Sequence, residues 1–119
     1  MDLNYLDRLA LSTFTSLEKQ SLYQLLCGTM IIDGNRDSRE IAIINEVNQV
    51  MNITVADVEA SRKLSEPTMV NCLRSMDTLK KAYAAKFMAQ VILADGIVTQ
   101  KEGKFFYYMK ERLDLPDVD

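Results

Sequence analysis

The chain has 119 residues, 48% of them hydrophobic and 26% charged, with four Gly and two Pro, a composition that fits one globular domain and lacks the signature of disorder. A formal net charge of -3 supplies no positive field to hold a phosphate backbone, so nucleic acid is not an expected ligand. The chain has no His, the usual general base near neutral pH and the commonest nitrogen ligand of metals, which argues against zinc, di-iron and His-dependent nucleophilic catalysis.

The opening Met-Asp-Leu-Asn-Tyr shows no basic region followed by a hydrophobic run and a small-residue cleavage site. The most apolar stretch, 82–94, carries Lys86 and Gln90 and falls short of the ~20 apolar residues of a spanning helix. A cytoplasmic protein without a membrane span is therefore expected. Cys27 and Cys72 have neither disulfide-scaffold numbers nor a C-x-x-C spacing and are expected to be reduced core residues.

Leu3, Leu6, Leu9 and Ala10 fall at helical spacing and predict a short opening helix with Asp2 near its start. Thr15 and Glu18 form a capping box for a helix to about Ile32, with Leu22, Leu25, Leu26, Thr29 and Met30 on its inner face. The turn Asp33-Gly34-Asn35 ends it, since Gly tolerates the positive φ common at helix C-termini. Asp37 and Glu40 read as the next box, followed by an apolar stripe of Ile41, Ile44, Val47 and Met51 that Ile43 and Val50 extend to about Asn52.

Thr54 caps a brief helix carrying Val55, Val58 and Leu64, and Pro67 stands in the first turn of another with Met69, Val70, Leu73 and Met76. Asp77 caps the most hydrophobic helix, in which Leu79, Tyr83, Phe87 and Val91 recur every four residues and Ala82, Ala85, Met88, Ala89 and Ile92 fill neighbouring faces. A helix apolar on so many sides is expected to be central, with Lys86 and Gln90 facing solvent. Asp95-Gly96 breaks it, and Thr99 with Glu102 opens the last helix, whose stripe is Phe105, Phe106, Met109 and Leu113. Tyr107 and Tyr108, beside Lys104, Lys110 and Arg112, are expected to be half-buried packing, with a partner surface as the alternative. Apolar spacings of three and four dominate and no alternating segment reads as a strand, so the class is all-α.

A shift of 62 residues lays Asp33-Gly34 on Asp95-Gly96 and Glu40 on Glu102. The apolar register follows: Leu25 with Phe87, Leu26 with Met88, Met30 with Ile92, Ile44 with Phe106, Val47 with Met109, Met51 with Leu113 and Ile53 with Leu115. The chain thus reads as two helix, Asp-Gly turn, helix repeats, about 16–53 and 77–115, joined by linker helices over about 54–76 and packed about a pseudo-twofold.

The runs Met30-Ile31-Ile32-Asp33-Gly34 through Glu40 and Val91-Ile92-Leu93-Ala94-Asp95-Gly96-Ile97-Val98 through Glu102 resemble the TerB-like family. The family is named for tellurite-resistance proteins and includes the N-terminal region of a membrane-anchored J-domain co-chaperone. The resemblance spans about Ser16 to Leu115 and implies a compact bundle of about seven helices, no established catalytic activity, and acids near the Asp-Gly turns suspected of holding a divalent cation, calcium or magnesium. Asp33, Glu40, Asp95 and Glu102 are the matching positions. Asn35-Arg36 departs from the apolar pair Ile97-Val98 of the second copy and sets a cation beside the first acids.

Asp-Gly-x5-Glu is also the back half of an EF-hand loop, but Thr29 and Ile31, or Val91 and Leu93, stand where its first oxygen ligands belong, so an EF-hand is not expected. Helix caps account for the same acids. These readings lead to a non-enzymatic cytoplasmic interaction module with a protein partner, responsive to a divalent cation if carboxylates of the two repeats converge. The alternatives are a carboxylate-metal site acting chemically on a phosphorylated or acidic small molecule, and a structural homodimer.

Overall fold

Seven stretches carry helix-favouring patterns, and in the computed structural model, which describes residues 2–32 and 37–118, each is a helix: α1 (Tyr5–Leu11), α2 (Ser16–Met30), α3 (Ser38–Val50), α4 (Val55–Arg62), α5 (Glu66–Arg74), α6 (Thr78–Leu93) and α7 (Gln100–Leu113). No strand occurs among the described residues. Over the described residues the fold is an all-α bundle of seven helices. The turn expected at Asp33-Gly34-Asn35, with Arg36, lies outside the described residues.

Short polar side chains set the helix starts. Thr15, Thr54 and Thr99 each accept the N–H three residues on, and Glu18, Asp57 and Glu102 return the bond to close capping boxes. Asp77 and Ser65 cap α6 and α5, with Pro67 in the first turn of α5. Two caps differ from expectation. Asn4, boxed with Asp7, opens α1 in place of Asp2. Asp37 caps α3 through the Arg39 N–H at 2.7 Å and also holds the Arg39 guanidinium, because the two residues lie two apart in the chain and the charged pair is the stronger bond.

The 62-residue shift is visible in the backbone. The N-caps Thr15 and Asp37 correspond to Asp77 and Thr99, so both helix pairs begin in register. Asn52 and Asp114 are the non-glycine residues with positive φ among those described, 53° and 54°. Ile53 N–H bonds Asn48 C=O and Leu115 N–H bonds Lys110 C=O, both at 2.9 Å, so α3 and α7 end in equivalent Schellman motifs. In space α2 packs on α6 at the centre, and α3 and α7 each lean on both. The linker helices break this symmetry: α4 and α5 pack on α2, and α5 also meets α7.

One cluster of buried side chains joins the elements, with Leu25, Leu26, Phe87 and Met88 at the α2–α6 contact and Val47, Met51, Met109 and Leu113 arriving from α3 and α7. Spacing misplaces several neighbours. Leu6, Leu9, Ile41 and Leu79 are exposed, while Leu11 and Phe14 bury beneath α1 and Ala84 takes the inner face of α6. A stripe three to four residues apart marks a face without saying which of two adjacent apolar faces is covered. Cys27 and Cys72 are half-buried, not joined in a disulfide, and stand at the rim of the core rather than within it.

Candidate functional site

The acids at the repeat turns are held by their own backbone. Glu102 is 1% exposed in the first turn of α7, its Oε1 accepting the Thr99 N–H at 3.0 Å while Thr99 Oγ1 accepts the Glu102 N–H at 3.1 Å. Asp95 Oδ1 accepts the Ile97 N–H at 2.9 Å, an Asx turn that shapes the loop leaving α6. Glu40 is 2% exposed in the first turn of α3, and Asp33 lies outside the described residues.

The two repeats do approach each other electrostatically at this end. Bonding to Asp37 raises the Arg39 pKa first of all, and Asp95 and Glu40 add to the rise, so a guanidinium supplies positive charge near the second turn. Among the described residues no three Asp, Glu or Cys side chains gather as a metal site would require. Asp95 and Glu102 each give a carboxylate oxygen to the backbone of their own turn, and the fourth acid of the set, Asp33, lies outside the described residues.

A second region carries a different signal. Where the end of α6 meets α7, Leu93, Val98 and Tyr107 are exposed around a hollow of about 210 Å³ floored by Ala89, Ile92 and Phe106. Tyr107 is 67% and Tyr108 57% exposed, so these tyrosines are surface residues and not the half-buried packing their helix suggested. A second hollow of about 440 Å³ shares Ala89 and Leu93 with the first and continues along α6 past Gln90, Lys86 and Ala82 to Asp117 and Val118. Lys86 and Gln90 are half-buried in this groove rather than free in solvent.

No protein-family model and no curated protein matches the chain. The fold has a solved counterpart. A protein of unknown function from Porphyromonas gingivalis W83 superposes with a TM-score of 0.77 at 19% identity, over 88% of this chain and 89% of that one. At that identity the likeness shows the fold alone.

Two polar pairs were not legible as functional or structural features before the helices were assembled. Lys80 Nζ reaches Glu18 Oε1 at 2.8 Å and sits 5.4 Å from the Phe14 ring centre. Tyr83 donates its hydroxyl to Asp7 at 2.6 Å, tying α1 to α6; burial first and then the Asp7 carboxylate push the Tyr83 pKa up to about 12. Burial likewise pushes the Cys72 thiol up, against a smaller opposing effect of the Ser21 hydroxyl, which leaves it protonated and a poor nucleophile. Among the described residues no helix is long and apolar enough to cross a membrane.

Proposed function

We propose that this chain is a non-catalytic helical interaction module of the TerB-like type, acting in the cytoplasm on a protein partner through the face where α6 meets α7. The observation that carries this reading is the exposure of Leu93, Val98 and Tyr107 around one apolar hollow. Contiguous exposed apolar surface of this kind is kept where something covers it. The reading is supported by the state of the acids: Asp95 and Glu102 spend carboxylate oxygens on N–H groups of their own turns, which is a structural use of the charge. The doubled Asp-Gly signature and the seven-helix bundle are the reasons for likening it to TerB.

Two assays run together separate this reading from a carboxylate-metal enzyme. Wild-type chain and a Leu93→Lys/Tyr107→Lys variant are used for affinity capture with quantitative mass spectrometry, and both are assayed with Mg²⁺ or Ca²⁺ on phosphorylated and acidic small molecules. A specific protein retained by wild type and lost by the variant, with no turnover, is the expected outcome. Metal-dependent turnover abolished by Glu102→Gln overturns it.

A further inference from the structure

We draw no further inference here: the strongest candidate, the surface patch on α7 where Lys101, Lys104 and Tyr108 stand exposed beside Ile32 at the end of α2, carries nothing because nothing in the structure shows what covers it.

Discussion

Glu18 and Lys80 are the same position in the two repeats, and they meet across the pseudo-twofold at 2.8 Å with side chains only 14% and 17% exposed. Burial pushes the Glu18 carboxyl up, and the Lys80 ammonium together with the Thr15 N–H and hydroxyl outweighs it, so the net shift is down. A carboxyl whose folded pKa lies below its unfolded value stabilises the fold above the unfolded value of about 4.3 and loses that contribution as pH falls through the folded value. Glu18→Gln should therefore cost about 1–3 kcal/mol near pH 7, because it leaves a mostly buried ammonium without its charge partner. The difference between variant and wild type should shrink as pH is lowered below about 4.3, which urea unfolding across pH 3 to 7 measures. A constant difference over that range would remove Glu18 ionisation from the account.

At the scale of elements, α3 and α7 are equivalent in length, start and C-terminal motif, yet their first turns differ chemically. α7 begins with a closed capping box, whereas the Asp37 cap of α3 is shared with the Arg39 guanidinium. Glu102 in its box should tolerate Gln, which keeps the acceptor oxygen. Glu102→Ala should cost about 1–2 kcal/mol in thermal unfolding. Isothermal titration of metal-stripped chain with Ca²⁺ and Mg²⁺ should show no saturable heat. Saturable binding that Asp95→Asn/Glu102→Gln removes would make these acids ligands as well as caps.

Helix existence was readable from caps and spacing, because Thr-x-x-Glu and an apolar stripe are local properties of the chain. The outward side of a helix was not. Leu79 and Ile41 continue apolar stripes in sequence but stand on faces that the neighbouring helices leave exposed. Tyr107 is exposed for a related reason: α7 turns Met109 and Leu113 to the core, and the side bearing Tyr107 meets only the shallow hollow beside α6. The tie of α1 to the bundle, through Asp7 and Tyr83 separated by 76 residues, likewise had no local signal.

The whole molecule measures 33 × 31 × 29 Å, with α2 and α6 crossing its middle. Its two halves share a plan and differ in detail: α4 packs on α2 beside Gln20 and Gln24, and an apolar hollow opens where α6 meets α7. The doubled register was legible in the sequence from Asp-Gly, Glu40 and Glu102. The hollow was not, since it follows from how α6 meets α7 and not from any residue's type. If function resides in that face, a photo-activatable amino acid placed at Leu93, in cells expressing the full chain, should form a discrete covalent adduct with a partner protein. The same label at Val55, 80% exposed on α4, should form none. No adduct at Leu93, or the same adducts from both positions, would contradict a partner surface on α6.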